Sequence, residues 1–255
     1  MDRLAFTAAA AITEQTIARQ HMVNELANMS TVGFKRSYDM AMQSITAEGA
    51  GFSSRIQPQA VAKDLIRLEG GTVMATGRAM DVAINGKAVL GVSASDGTLS
   101  YTRRGDLRVN AQGALETGNG HLVRGEGGNT INVPPGFVIT VNPDGNVVAR
   151  DPAAPTNARG QTVGRLMLRD ATNAQLARRV DGLFEVAGQQ PGTALPGGPA
   201  LAGVTPGALE GSNVTAVQAM VRLMDHSRSF EQQIKIIKES RQIDESGATM
   251  LRPTS

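Results

Sequence analysis

Metal-assisted hydrolysis would require histidines and carboxylates grouped on one helix face, as in H-E-x-x-H. His21, His121 and His226 lie far apart in the chain and none belongs to such an arrangement, although sequence distance leaves a spatial cluster open. Phosphate chemistry would need a glycine-rich loop. Asn85-Gly86-Lys87-Ala88 offers the Gly-Lys pair, but Asp81 stands where the upstream glycine belongs and Ala88 replaces the Ser or Thr, so the segment reads as a hairpin turn. The glycines between Gly118 and Gly128 do not follow G-x-G-x-x-G, and no helical pattern follows them. No G-x-S-x-G nucleophile elbow occurs. Glu239, Asp244 and Glu245 could move protons, but they sit among Lys238 and Arg241 in a helical pattern and read as a solvated charged face. The sequence therefore assigns no catalytic residue, metal ligand or cofactor, and the chain is expected not to be an enzyme.

Composition agrees. With 255 residues, 41% hydrophobic and 19% charged, the chain has the make-up of a globular protein of one large domain or two smaller ones. Aromatic residues are only 3%, with no Trp, a poor supply of the large rings that line ligand pockets and stacking platforms. The formal net charge is +2, and the basic dipeptides Lys35-Arg36, Arg103-Arg104 and Arg178-Arg179 are too scattered to form a nucleic-acid tract. Each reads as a solvated surface pair. Cysteine is absent, which permits an oxidising compartment without demanding one. No stretch approaches the roughly 18 apolar residues of a membrane-spanning helix. The N-terminus lacks the basic region and continuous apolar core of a secretory signal, so export would be expected to use a route without a cleaved signal.

The elements that such a chain must build differ sharply between its ends and its middle. From Leu4 to about Met29 there is no Gly or Pro, and Leu4, Ala8, Ile12, Gln15, Ala18, Met22, Leu26 and Met29 recur at steps of three and four. This predicts a helix with one narrow, Ala-rich stripe, marginal alone and in need of a partner. Gly33 suits its left-handed C-terminal turn. A second helix is expected from a cap at Ser212 or Asn213 towards Gly247. Met220, Leu223, Ser227, Phe230, Ile234 and Ile237 fall on a near-heptad seam, widened early by Val214, Val217, Val221 and Met224.

Between the helices, short runs of Val, Ile, Leu and Thr alternate with turn signals such as Asp96-Gly97, Asn119-Gly120, Asp144-Gly145 and Asp181-Gly182. That texture predicts an antiparallel β body. Strands are expected at Val82–Ile84, Ala88–Ala94, Leu99–Thr102, Leu107–Val109, Val138–Val141, Val163–Leu168 and Leu183–Val186. The fold class expected is α+β: two long terminal helices forming a coiled-coil-like layer, and a central all-β domain built as a barrel or folded sheet. The divisions expected are a helix over 1–35, a connector over 36–76, a β-rich domain over 77–188, a Pro/Gly linker over 189–206 and a helix over 207–255. The residue pattern alone leaves open an assembling structural subunit, a coiled-coil adhesin-like protein and a β-domain enzyme or sugar-binding protein.

Four ordered motifs narrow this. Asn24-Glu25-Leu26-Ala27-Asn28-Met29-Ser30-Thr31-Val32-Gly33-Phe34-Lys35 resembles the N-N-L-A-N-x-x-T-x-G-F-[KR] signature of the bacterial flagellar rod and hook family, with Glu25 departing from the second Asn. Thr76–Gly86 is similar to T-x-R-P-L-D-V-A-I-x-G, with Ala79 for Pro, and Tyr101–Leu107 to Y-T-R-x-G-x-F. Gly207-Ala208-Leu209-Glu210-Gly211-Ser212-Asn213-Val214 matches G-x-L-E-x-S-N-V, continued by Arg228-Ser229-Phe230-Glu231. Length and the compact middle domain look most like the proximal rod members, with the distal rod members as close rivals. The resemblance implies a structural subunit exported unfolded by the flagellar type III apparatus and assembled in the periplasmic rod, the drive shaft that carries torque for motility. Its partners would be copies of itself and other proximal and distal rod subunits, with no nucleic acid and no membrane span. Its terminal helices (D0-like) would form the inner layer and its β domain (D1-like) the outer one. The packing residues implied are Leu4, Ala8, Ile12, Met22, Leu26, Met29, Val217, Met220, Val221, Leu223, Met224, Phe230, Ile234 and Ile237. The motif residues are Asn24, Leu26, Ala27, Asn28, Thr31, Gly33, Phe34, Leu209, Glu210, Ser212, Asn213 and Val214.

Overall fold

The computed structural model describes residues 2–45, 48–49, 52–53, 57–155, 160–195 and 203–250, with side chains described at 15–37 and 65–155 and at most positions of 160–195 and 203–246. Leu4, Ala8, Ile12 and Ile237 lie outside the described side chains, and Ala50-Gly51 and residues 196–202 of the Pro/Gly linker outside the described residues. Among the described residues two helices occur, α1 (Asp2–Ala27) and α2 (Ala216–Met250). Between them run β1 (Ser37–Ile45), β2 (Glu48–Gly49), β3 (Phe52–Ser53), β4 (Gln57–Ile66), β5 (Val73–Ala75), β6 (Val82–Ile84), β7 (Ala88–Ser93), β8 (Leu99–Thr102) and β9 (Leu107–Val109). There follow β10 (Leu115–Thr117), β11 (Val138–Val141), β12 (Asn146–Arg150), β13 (Gln161–Arg165), β14 (Leu168–Asp170), β15 (Leu176–Arg178), β16 (Phe184–Val186), β17 (Val204–Pro206) and β18 (Ala208–Glu210).

The chain divides into two compact units, 1–27 with 215–255, and 28–214. In the first, α1 and α2 pair. Ala18 and Ala219 are buried, and Met22, Leu26, Leu223, Phe230 and Ile234 are half-buried. Polar side chains share the pairing: Gln15 Nε2 donates to Ser229 Oγ (3.4 Å), and Arg222 lies 3.9 Å from Glu25. Met29, just beyond α1, is exposed, and so are Val217, Met220, Val221 and Met224 on α2. The expected cap residues play other parts. The first bond of α2 runs from Ala219 N to Thr215 O, while Ser212 Oγ accepts from Val214 N.

In the second unit the largest sheet has the order β1-β4-β15-β16-β8-β7-β14, antiparallel throughout. The remaining described strands form β11-β12-β13 and four two-stranded pairs, among them β17-β6 and β18-β5, which return the chain's late residues to strands formed early. Two apolar clusters fill the unit. One gathers Val82, Leu90, Leu107, Leu115, Val123, Val147 and Leu166, the other Val89, Tyr101, Leu176, Phe184 and Leu195. Strand β7 serves both, since Leu90 and Val89 point to opposite faces of the pleat.

These observations correct the expected fold class. The helices do not form a coiled-coil-like layer: of the residues expected to widen the seam, Val217, Val221 and Met224 face solvent and Val214 is buried ahead of α2, and alanine with mixed polar groups takes the place of interlocking large apolar side chains. Nor is there one barrel or folded sheet. The strands fall into six antiparallel sheets among the described residues, because turns interrupt the chain every few residues. The expected strand Val163–Leu168 is in fact β13 and β14, which belong to different sheets.

Candidate functional site

Glu210, the last residue of β18, is 2% exposed, and a buried carboxylate demands compensation. It receives four donors. Oε1 accepts from Lys35 Nζ at 2.6 Å and from Gly71 N at 3.0 Å. Oε2 accepts from Arg103 Nε at 2.8 Å and from the Arg103 terminal nitrogen in a close second contact, the side-on fork that suits guanidinium and carboxylate.

Arg103 follows β8 directly and is itself 2% exposed. Its remaining hydrogens go to the carbonyls of Ile84 (2.7 Å), Gly86 (2.8 Å) and Ala88 (2.6 Å). The Asn85-Gly86-Lys87-Ala88 segment is thus a tight turn whose carbonyl oxygens cradle a cation, opposite in polarity to a phosphate loop. It links β6 to β7, which lie in different sheets, so it is not a hairpin. Lys35 Nζ also donates to Glu69 O at 2.8 Å. Burial pushes the Lys35 ammonium below its ordinary value, outweighing the opposing pull of the hydrogen-bonded Glu210 carboxylate, while Arg103 adds to the depression.

Around these three charges the two ends of the unit are fastened by backbone. Gly33 N donates to Glu210 O at 2.7 Å. Asn213 Oδ1 accepts from Arg36 N at 2.7 Å, and its Nδ2 donates to Arg67 O at 3.0 Å. Gly33 sits at φ +68°, and a Cβ there would meet the Arg103 carbonyl carbon at 2.5 Å, so both conformation and space require glycine. Phe34 is buried under Arg178, whose guanidinium carbon stands 4.5 Å from the ring centroid and which also donates to Lys35 O.

The motif residues therefore separate into two groups. Gly33, Phe34, Glu210 and Asn213 converge on the clasp. Leu209 and Val214 are buried beside it in sequence, and Thr31 Oγ1 donates to Asn28 Oδ1 (3.1 Å) in the turn leading in. Asn24, Leu26 and Ala27 remain in α1. Reading the basic dipeptides as solvated pairs was wrong for Lys35, Arg103 and Arg178, which turn inward to one carboxylate, several carbonyls and the rings of Phe34 and Phe184. For Lys35 and Arg103, their place in the motifs beside Phe34 and Tyr101 was the available signal; Arg178 lies in no motif. No described group of three His, Asp or Glu residues could hold a metal, and no described helix is long and apolar enough to cross a membrane.

Comparison with known proteins bears on the same segments. Residues 205–250 match the flagellar basal body rod FlgEFG protein C-terminal model, and residues 83–149 the flagellar hook protein FlgE/F/G D1 domain model. Over 240 residues, covering 93% of each chain, the sequence is 35% identical to the flagellar basal-body rod protein FlgF of Salmonella typhimurium. This chain belongs to the flagellar basal-body rod protein family. FlgF of Escherichia coli is 36% identical over the same share of both chains. The rod protein FlgG of Caulobacter vibrioides is 32% identical, covering 93% of this chain and 95% of that one. As a rod protein the chain is a structural, non-enzymatic component of the flagellar basal body, and the clasp is a structural rather than a catalytic site. Glu210 and Asn213 fall in one matched segment and Arg103 in the other, so the two models meet physically at this carboxylate.

Proposed function

We propose that this rod subunit assembles through its terminal helices, with the clasp fastening the two ends of the β unit to each other. The observation that carries the reading is the solvent-facing apolar row on α2. Val217, Met220, Val221 and Met224 recur at i, i+3, i+4 and i+7 and are all more than half exposed, which a solitary molecule has no reason to keep. Ile17, Val23 and Met29 add exposed apolar surface on and just beyond α1. Methionine suits contacts that differ slightly from neighbour to neighbour. Leu4, Ala8 and Ile12 continue in sequence the stripe of Met22 and Leu26, and Ile237 that of Leu223, Phe230 and Ile234, so these positions belong to the half-buried rows rather than the exposed one.

The neighbours are copies of this chain and other proximal and distal rod subunits, in the periplasmic part of the basal body, reached through the flagellar type III apparatus without a cleaved signal. The proximal position is favoured by the identities of 35% and 36% to FlgF proteins against 32% to an FlgG. The test is a Met220→Asp/Met224→Asp variant expressed in cells lacking the native chain. The purified variant should melt as the wild type does, while motility and recovery in isolated basal bodies are lost. Wild-type incorporation of that variant would sink the reading.

A further inference from the structure

Two features of the β unit take no part in the clasp. The first is a groove of about 470 Å³ lined by Met80, Val109, Phe137, Val138 and Ile139, with Arg78 and Arg108 on its rim. It opens off the first apolar cluster, against which Met80, Val109 and Phe137 pack. Each rim arginine is paired, Arg78 with Asp81 at 3.5 Å and Arg108 with Glu116 at 2.6 Å. The pairs are lopsided, however: the arginine side chains are 57% and 54% exposed and those of Asp81 and Glu116 2% and 12%, so solvent meets the positive partners.

The second feature is Val180, at the tip of the turn between β15 and β16, with a relative exposure of 110%. An aliphatic side chain fully in water at a turn is a knob without a hole. Three carboxylates gather on the residue before it, Arg179. Asp96, Asp181 and Glu185 all share Arg179, at 3.1, 3.3 and 3.7 Å. One guanidinium cannot neutralise three carboxylates, so the knob stands in negative surroundings. The flanking Leu176 and Phe184 belong to the second apolar cluster, so knob and groove are carried by different cores of the same unit.

We propose that the Val180 tip of one copy seats in the groove of a second copy of this chain, with the acidic ring around Val180 meeting Arg78 and Arg108. Apolar knob faces apolar floor and negative ring faces positive rim, the arrangement that fixes register between partners. Because the two patches differ, the contact is heterologous. Repeated, it continues from copy to copy until the rotation closes, or runs on as an open helical series. The proposal rests on the reading of this chain as an assembling subunit and adds a contact between β units to the one between helices.

The natural chain contains no cysteine, which makes the test direct. Full-length Val180→Cys and Val138→Cys variants, both at exposed positions, are mixed and mildly oxidised, and the linked peptides are mapped. A 180–138 disulfide is expected in excess of a 180–73 link formed with an equally exposed Val73→Cys control, by about tenfold, the ratio that 1.4 kcal/mol of preference gives. Adding Arg78→Glu to the Val138→Cys partner, or raising the salt, should cut that yield. A 180–138 yield no higher than the control overturns the proposal, including the case in which the groove takes a different rod protein. A yield indifferent to Arg78→Glu overturns it as well. Failure here in a chain that still supports motility refutes this contact alone, whereas motility indifferent to the Met220→Asp/Met224→Asp change refutes the assembling role itself.

Discussion

At the clasp, one carboxylate answers two buried cations. Removing a single member of such a set leaves charge in the interior without a partner, so Glu210→Gln should destabilise the β unit by about 3–5 kcal/mol. Urea unfolding followed by far-UV circular dichroism measures this. Removing Lys35 is different, because Glu210 and Arg103 then balance one to one. Lys35→Met should be nearly neutral near pH 7 and should alter the alkaline behaviour. With the folded-state Lys35 below 10.5, the unfolded chain binds more protons between the two values, and stability gains from this residue as pH rises through that window. Tyr101 acts in the opposite sense. Burial raises its phenol above 10.0, so its contribution is complete below that value and is lost as pH climbs further. The difference in unfolding free energy, wild type minus Lys35→Met, isolates the lysine and should increase from neutral pH up to 10.5. Glu210 and Gly33 were legible in the sequence as motif letters, but not as the two ends of one contact. Charge alone reads as surface, and nothing local in a Lys-Arg pair says which of the two will turn inward.

The helices were legible as elements because uninterrupted runs without Gly or Pro and a period of 3.6 are local properties. Their pairing was not. Which residues face a partner depends on which contacts are closest, and here Ala18 and Ala219 take the buried positions while the larger Met220 and Met224 stay outside. Small residues at a helix contact leave no room for growth. Ala219→Leu should therefore loosen the helix pair by about 1–3 kcal/mol through overpacking. The observable is an early loss of the 222 nm signal on heating, with the β transition unmoved; a single cooperative shift of both signals would contradict it. Strands β6 to β9 lay where alternation and turn signals put them. Strands β15, β17 and β18 were not foreseen; β17 and β18 fall in stretches read as linker and helix, and they are strands by virtue of distant partners, β6 and β5, rather than of any local period.

The molecule as a whole places every member of the clasp inside one compact unit, residues 28–214. A fragment of those residues should fold alone, keep its protected amide hydrogens in β5, β6, β17 and β18, and melt cooperatively. The same fragment stopped at residue 205 should fail, since it retains Lys35 and Arg103 but not their anion. The family was legible because its motifs are contiguous letters, whereas the arrangement of six sheets among the described residues was not, because it depends on pairings such as Val204 with Ile84 across nearly half the chain. Glu210 lies 175 positions beyond Lys35 and 107 beyond Arg103, and that spacing governs timing. Closing so long a loop is entropically slow and cannot start before the later partner exists. A polypeptide emerging N-terminus first has two positive charges with nowhere dry to go until four-fifths of it has appeared. The β unit of a chain growing from its N-terminus therefore cannot tighten until Glu210 has appeared.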